Sequence, residues 1–594
     1  MNNGKIDINT IIGFVLIGAI FLYFGYFQND QEVPAETTAE SIDSAEVTED
    51  EIPAENLAAE PEIADTIAST AADSVPEQLF TLENELIRIT LTTKGGQIKQ
   101  AKLKNYDTYD SLPLYLINEN NIFNINLNNG GVLSTAEMNF RAEKLGENKR
   151  RMILSMGGSK RLEYTYQLDA DTYMLNWDVK SFGLANMVTN EAGLQWEMVS
   201  LRHEKNRENE NQYTRAKFLH DEDDIDDLSP SGEASEEAVD LKWLAYKQQF
   251  FSTILLHRQG DFPKAVVASN ELDETESDFT KHFISKMGFS QSGADIYLPM
   301  GVYMGPNKYE ILKSYDQQFD ELIPLGWGIL GWINRGIVIN VFNWLENYGL
   351  NYGIIILVIA VLIKLILFPL TYQSYRSMAK MRVLKPEMDE LNEKYKDQDP
   401  MKKQQAVMEL YQKAGVNPLG GCIPVVLQLP ILIALFRFFP ASIAVRELSF
   451  LWAEDLSTYD SIASLPFEIP FYGDHVSLFT LLMTVSTLIY TYMNNQLSGT
   501  NQQYPQMKYM MYLMPIIFLG VFNNYASGLS YYYFVANVIT FGQQFLIRNS
   551  LNDEKIHALI QAKREKPKKE NRFMRRMREM QEQQNRSTRR GRRS

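Results

Sequence analysis

The stretch Gly353-Ile354-Ile355-Ile356-Leu357-Val358-Ile359-Ala360-Val361-Leu362-Ile363-Lys364-Leu365-Ile366-Leu367-Phe368-Pro369-Leu370 holds one charge, Lys364, in an otherwise apolar run. At about 1.5 Å per helical residue it reaches about 27 Å, close to the ~30 Å hydrocarbon core of a bilayer. Similar stretches follow at 422–439, 476–493, 509–522 and 531–547, and another precedes it at 11–27. Two of these are at or below the usual minimum for a span. Prolines at 369, 424, 430 and 515 fall within them. A membrane helix tolerates proline where neighbours or water satisfy the freed carbonyls. The apolar residues of this 594-residue chain are therefore clustered, and its 45% apolar average misleads. A single cysteine excludes a disulfide framework and any multi-cysteine zinc or iron–sulfur site.

Outward from these stretches the composition changes in blocks. Residues 1–27 read as a short N-terminal end and a transmembrane anchor. A signal peptide is the competing reading, but the flank Tyr26-Phe27-Gln28-Asn29-Asp30 has no small-x-small cleavage pattern. Residues 28–79 read as an acidic, disordered linker: fifteen Asp/Glu and no Lys or Arg fall in 30–79. That block accounts for most of the net charge of −17, which therefore says little about partners of the folded parts. Residues 80–320 alternate with period two, as in Ile87, Ile89 and Leu91 against Arg88, Thr90 and Thr92. The segments 162–168 and 173–182 flank Asp169-Ala170-Asp171, a hairpin signature. Many short strands predict a β-sandwich as one large domain. The acidic stretch 221–227 lacks the glycine and spacing of a calcium loop and reads as a solvated loop. Residues 321–349 read as an amphipathic helix with Trp327, Trp332 and Trp344, lying in the membrane interface or packed on the β-domain.

Basic residues set the orientation. Residues 374–421 carry nine Lys/Arg, 440–475 carry only Arg446 against six acids, and the tail after 549 carries fifteen Lys/Arg. The positive-inside rule puts 374–421 and the tail in the cytoplasm and 440–475 outside. Six spans with both termini inside fit, with residues 28–349 on the outer side. Within 374–415, Met381, Leu384, Met388, Leu391 and Tyr395 form one helical stripe, and Val407, Leu410, Tyr411 and Ala414 another. They predict a helical hairpin with its stripes packed on each other, as a structural unit or as a docking surface.

Polar groups in the apolar stretches are where function can be argued. Lys364 lies about six residues, or ~9 Å, from the cytoplasmic end of its span. It either snorkels to the headgroups or sits in a hydrated pocket in the bundle. Thr480, Thr484, Thr487, Thr491 and Asn494 form a stripe along one stretch; Ser530, Tyr533, Asn537, Thr540 and Gln544 form one along another. Such stripes glue helices together or line water. For Asn537 and Gln544, with Lys364 in the same bundle, the reading here is a wet cavity. Gln428 adds a polar side chain to a third stretch. Nothing reads as an enzyme. The histidines at 203, 220, 257, 282, 475 and 557 show no metal-ligand spacing, and no phosphate loop, nucleophile elbow or dinucleotide fingerprint occurs. No small-molecule cofactor is expected. Cys422, beside Gly420-Gly421, reads as packing. The basic tail fits anionic lipid, ribosomal RNA or a purely topogenic role.

Phe368-Pro369-Leu370-Thr371, Ser377-Met378-Ala379-Lys380-Met381-Arg382, Val416-Asn417-Pro418-Leu419-Gly420-Gly421-Cys422 and Gln428-Leu429-Pro430 occur in that order. Ser527-Gly528-Leu529 follows, with Tyr532 and Asn537. Over about 353–547 the chain resembles the YidC/Oxa/Alb family of membrane protein insertases. Gly305-Pro306 resembles the larger bacterial members, the six-span form of bacteria with two membranes. The resemblance implies a multi-domain membrane protein. It would have an α-helical transmembrane bundle of six spans with a five-helix core, a periplasmic β-supersandwich related to sugar-binding folds, and a cytoplasmic helical hairpin. The implied plan is anchor 1–27, linker 28–79, β-domain 80–320, interfacial helix 321–349, insertase core 350–547 including the hairpin 374–415, and cytoplasmic tail 548–594, in the bacterial inner membrane.

The resemblance also implies a hydrophilic groove, open to the cytoplasm and the lipid and closed to the outside. The family usually carries arginine in it, where this chain has Lys364: the charge survives and the planar guanidinium fork does not. The groove set carried over is Lys364, Gln428, Pro430, Thr484, Thr487, Met514, Pro515, Asn537 and Thr540. Implied partners are nascent membrane proteins and the lipid bilayer, with a Sec-type translocon and the ribosome, through tail and hairpin, as candidates. Two other function classes stay open: a solute or anion channel or transporter, and a membrane-anchored carbohydrate-binding receptor or enzyme.

Overall fold

The computed structural model describes residues 76–564 except 129–131, 186–192, 222, 274, 276–277, 289–294, 396–399, 417–422 and 499–504. The expected anchor at 11–27, the linker up to 75, the motif 417–422 and the tail beyond 564 lie outside the described residues.

Alternating burial builds the β-domain. In Arg161–Leu168 the side chains of Leu162, Tyr164, Tyr166 and Leu168 are buried and their neighbours half-exposed, as a strand with one face on a core requires. It pairs antiparallel with Met174–Phe182 around the expected turn, where Asp171 takes φ +53°. A nine-stranded sheet runs from Asp224–Asp227 at one edge to Arg141–Gly146 at the other, with Tyr297–Pro306 in its centre. A six-stranded sheet, with Phe279–Gly288 and Gly193–Leu201 central, and a four-stranded meander starting at Leu79–Glu83 complete the domain. Rings interleave between the two large sheets. Trp177 meets Phe123 at 5.2 Å, and Tyr246 lies between Trp196 at 3.9 Å and Phe283 at 4.5 Å. The buried Tyr246 hydroxyl donates to Ser285 Oγ or the Trp196 carbonyl, so its burial leaves no polar orphan.

The acidic stretch is not simply a loop. Asp224–Asp227 pairs with Arg215–His220 as the edge strand of the large sheet. An edge keeps one side in water, where Asp227 accepts from Arg215 at 2.5 Å and Asp226 lies 2.8 Å from His220 Nε2.

The helices are Arg207–Tyr213 (α1), Tyr309–Ser314 (α2), Gly328–Ile333 (α3), Ile339–Glu346 (α4), Tyr352–Val383 (α5), Lys385–Lys394 (α6), Pro400–Ala414 (α7), Ile423–Ala441 (α8), Leu478–Ser498 (α9), Pro505–Asn523 (α10), Ser527–Ser550 (α11) and Asp553–Arg564 (α12). The single amphipathic helix expected over 321–349 is instead α3 and α4 joined by a π-helical turn, Asn334–Val338. Asn334 is the cause we identify. It is fully buried, and its amide donates to the Leu325 and Ala434 carbonyls at 2.8 and 2.9 Å, tying the turn to α8. One face buries Ile333, Val338, Phe342 and Leu345, while Trp327, Ile329, Trp332 and Trp344 stand exposed on the other.

The 32-residue α5 runs through Pro369 and past the expected end of its span. It stops at Val383 because Pro386 in the next turn cannot extend the ladder. The hairpin is therefore α6 and α7 appended to a long helix, and it gains a third member. Ile556 and Ile560 of α12 join Met381, Leu384, Met388, Val407, Leu410 and Tyr411 in one apolar cluster. Arg382 pairs with Asp553 at 2.6 Å beside it. Among the described residues α5 is the one helix long and apolar enough to cross a membrane by composition; 427–441 and 510–523 are shorter apolar segments. Gly353 lets α5 approach the segment between α8 and α9, since a Cβ there would meet the Phe450 ring at 2.1 Å.

Candidate functional site

Polar side chains cross the bundle in tiers, set by the stripes on α9 and α11. Nearest the β-domain, Thr480 Oγ1 donates to the Phe522 carbonyl at 3.0 Å and meets Ser530 Oγ at 3.1 Å. One level in, Asn537 Nδ2 donates to Ser486 Oγ and Thr487 Oγ1, both at 3.0 Å. The next tier joins three helices: Gln543 Nε2 donates to the Lys364 carbonyl at 3.1 Å, and Lys364 Nζ donates to Gln428 Oε1 at 3.1 Å. Deepest, the Gln544 amide reaches the Tyr375 hydroxyl and Asn494 Oδ1.

The third tier differs in kind. Lys364 is 7% exposed, and its ammonium meets a neutral amide. Among the described residues no carboxylate lies within ion-pair distance of it. A buried cation without an anion is costly, so its retention asks for a function. Its partner Gln428 is half-buried on α8, between the exposed Leu427 and Leu429. The cation is therefore held where α5 meets α8, its head on an amide of the neighbouring helix. That geometry counts against snorkelling.

The carried-over residues divide. Lys364 and Gln428 meet directly. Asn537 and Thr487 tie α9 to α11, the work of helix glue. Thr540 Oγ1 returns to its own helix at the Ala536 carbonyl, 2.7 Å away. Thr484 Oγ1 is buried without a hydrogen-bond partner among the described residues, as is Gln544 Oε1. Pro430 and Met514 are half-buried and Pro515 is buried. Gln543, Ser486 and Tyr375 were missed. Gln543 lies one position off the α11 stripe, and nothing in the spacing marked it out.

At the end of the bundle facing the β-domain, the segment between α8 and α9 is bonded to the helix ends. Asp460 caps α9, accepting from the Leu478 and Phe479 amides at 2.9 and 3.1 Å and from Trp452 Nε1 at 2.8 Å. The Gly528 and Ser527 amides donate to the Leu456 and Thr458 carbonyls. At that end α8 and α10 also meet, Phe436 against Phe522 at 6.1 Å.

A second buried cation clamps the β-domain to the helices. Arg446 pairs with Glu204 at 2.7 Å and Glu447 at 2.6 Å, donates to the Asp107 carbonyl at 2.8 Å, and lies over Phe251. Burial holds the Glu204 carboxyl above the ordinary range, against the pull of Arg446. Burial and the charge of Glu204 likewise raise Glu210, which accepts from the His203 and Glu204 amides. Burial pushes His203 down to about 4.

Comparison with known proteins agrees with this layout. Residues 344–555 match the family model described as 60Kd inner membrane protein, and residues 79–339 the one described as YidC periplasmic domain. "Membrane protein insertase YidC" of Parabacteroides distasonis is 38% identical over 614 residues, covering 96% of each chain. The protein of that name from Bacteroides fragilis is 38% identical over 591 residues, covering 95% of each. A crystal structure titled as active YidC insertase with its first transmembrane domain resolved is 20% identical, covers 79% of this chain and 92% of its own, and superposes with a TM-score of 0.32. The chain belongs to the YidC family of membrane protein insertases.

Proposed function

We propose that the chain inserts membrane proteins, and helps them fold, through a groove centred on Lys364, in an inner membrane it spans six times with both termini cytoplasmic. The five core spans in this reading are α5, α8, α9, α10 and α11, and 11–27 is the first. Large apolar side chains exposed along these helices support it, among them Leu365, Ile366, Leu513, Ile516, Phe545 and Leu546. Exposed apolar surface of that extent is foreign to a water-facing protein. The hairpin and α12 then lie in the cytoplasm, and the β-domain in the periplasm.

The observation that carries the mechanism is that, among the described residues, Lys364 pairs with an amide alone. The ammonium attracts acidic residues in the polar segment of an incoming chain, and Gln428 can give it up without stranding an opposite charge. Pro430, Thr484, Thr487, Met514, Pro515, Asn537 and Thr540 surround the route in this reading. The faces of α8 and α10 receive the emerging hydrophobic segment. Partition of ~20 apolar residues into lipid is itself downhill, so the protein needs only to lower the barrier. Sec-type translocon and ribosome remain partners for the groove and the basic tail in the same proposal.

The test is a strain depleted of its own insertase and complemented with Lys364→Ala, Lys364→Glu or Lys364→Arg. Insertion of substrates with acidic translocated tails is expected to fall with Ala, fall further with Glu, and persist with Arg. Wild-type insertion with both Ala and Glu removes the charge from the mechanism.

A further inference from the structure

The connector between α8 and α9 contains a hairpin, Ala463–Ile469 paired with Gly473–Val476, that the insertase reading leaves without a role. Its first strand carries Leu465, Phe467 and Ile469, and its pairing with the second shifts register between Ser464 and Ile469. From 461 to 471 no residue is buried: Phe467 is 62% exposed, and Phe471, in the turn, 98%. An isolated two-stranded hairpin is marginal in water, and one showing its apolar face to water is more so.

The hairpin is nonetheless held firmly, at a particular height. Asn523, the fully buried last residue of α10, donates to the Tyr472 and His475 carbonyls at 2.8 and 2.9 Å and accepts from the Ser477 amide at 3.0 Å. Its carbonyl lies 3.0 Å from His475 Nε2. The turn descends beside α10 to Gly520, where a Cβ would come within 2.5 Å of the Phe471 carbonyl. Gly520 lies three residues below the helix end, about 4.5 Å of rise. The Phe471 backbone thus stands level with the upper part of a helix whose Leu513, Ile516 and Ile517 are exposed, and the Phe471 ring is itself exposed.

We propose that this hairpin is an interfacial anchor, its Phe467 and Phe471 seated in the headgroup–acyl boundary of the outer leaflet. The inference rests on the membrane reading of α10 given above. Lipid is the occupant for two reasons. Pro466 and Pro470 deny the exposed strand the amides that another chain would need for strand addition. No Lys or Arg occurs from 447 to 507, so attachment is apolar and does not call for anionic headgroups.

The experiment uses the full chain with Cys422→Ser, reconstituted in nanodiscs of zwitterionic phosphatidylcholine. Single cysteines are placed by Phe471→Cys, Phe467→Cys, Asp474→Cys or Ile516→Cys and labelled with a polarity-sensitive fluorophore. The two phenylalanine sites are read separately so that each is reported with the other ring in place. Labels at 467 and 471 are expected to shift to the blue on reconstitution and to be quenched by nitroxides on shallow acyl carbons, as is the label at 516. The label at 474 is expected to be quenched by aqueous iodide. Iodide quenching at 467 and 471, with lipid quenching kept at 516, overturns the anchor alone. Iodide quenching at 516 as well overturns the membrane reading of α10, and the anchor with it. Shielding of 467 and 471 from both quenchers is the mark of a protein contact and also overturns it.

Discussion

The seam between β-domain and helices and the interior of the bundle each hold a buried cation, and they are built in opposite ways. Arg446 is surrounded by answers: two carboxylates, a carbonyl and an aromatic face. Among the described residues Lys364 has one neutral amide. The first arrangement closes on itself and holds two parts of the chain together. The second leaves a charge without an anion among the described residues, one that an incoming chain answers in the proposed reading. Burial is similar at the two sites, so burial alone does not distinguish a clamp from a working group; the partner set does.

The largest effect belongs to the clamp. Arg446→Ala leaves Glu204 buried and unanswered, and removing one partner of such a pair costs about 3–5 kcal/mol. Thermal unfolding of the purified full chain in detergent is expected to show that loss. Arg446→Met combined with Glu204→Gln should restore most of it, because the buried carboxylate goes with its cation and the Glu447 side chain, 39% exposed, keeps water. A loss below about 1 kcal/mol for Arg446→Ala would give the pair the value of a surface bridge and end the contrast.

The clamp should also respond to pH. Burial raises the Glu210 and Glu204 carboxyls above 4.5, so the folded protein holds protons that the unfolded chain releases. Stability is then present at low pH and lost as pH rises through the raised values, at up to about 1.4 kcal/mol per unit and group. His203 works the other way: with its pKa lowered from 6.5 to about 4, it costs stability only as pH falls below 6.5. Above 6.5 the carboxyl slope stands clear of it. The carboxyl contribution falls there, so Glu210→Gln is expected to lose less melting temperature per pH unit than the parent. An unchanged slope in that variant would show that Glu210 is already ionised in the folded state.

This contrast was half visible in the sequence. Lys364 declared itself because a charge among ten preceding apolar residues has no local excuse. Arg446 looked like an ordinary loop residue, since its partners Glu204 and Asp107 lie 242 and 339 positions away. Strand alternation and the hairpin at 169–171 were legible because period two is local. The break at Asn334 and the docking of α12 were not. One depends on a carbonyl a hundred residues on. The other had only Ile556 and Ile560, one turn apart in a basic stretch, to announce it. The polar stripes gave the faces of α9 and α11 but not their fate: glue and groove lining share a spacing, and only partner geometry separates them.

Asn537 tests that separation. Its two bonds join α9 to α11 within the bundle, where such contacts average about 0.6 kcal/mol and reach about 1.7. Asn537→Ala is expected to lower the melting temperature modestly and leave insertion intact. Reduced insertion at unchanged stability would show that Asn537 acts on the route itself and not through the α9–α11 contact.

The smallest stability effect is expected at Lys364, and it is the most informative. Methionine has similar length and no charge, so Lys364→Met removes the burial cost of the ammonium and one bond to Gln428 Oε1. These terms oppose each other, and the net change should lie within about 1 kcal/mol of zero, or favour the variant. Arg446→Ala cannot behave this way, because it strands an anion and Lys364→Met strands none. If the Met variant unfolds as readily as the clamp variant, Lys364 has a hidden structural partner. If it is as stable as the parent and inserts acidic-tailed substrates poorly, the fold carries the cost of that charge for the sake of an incoming chain.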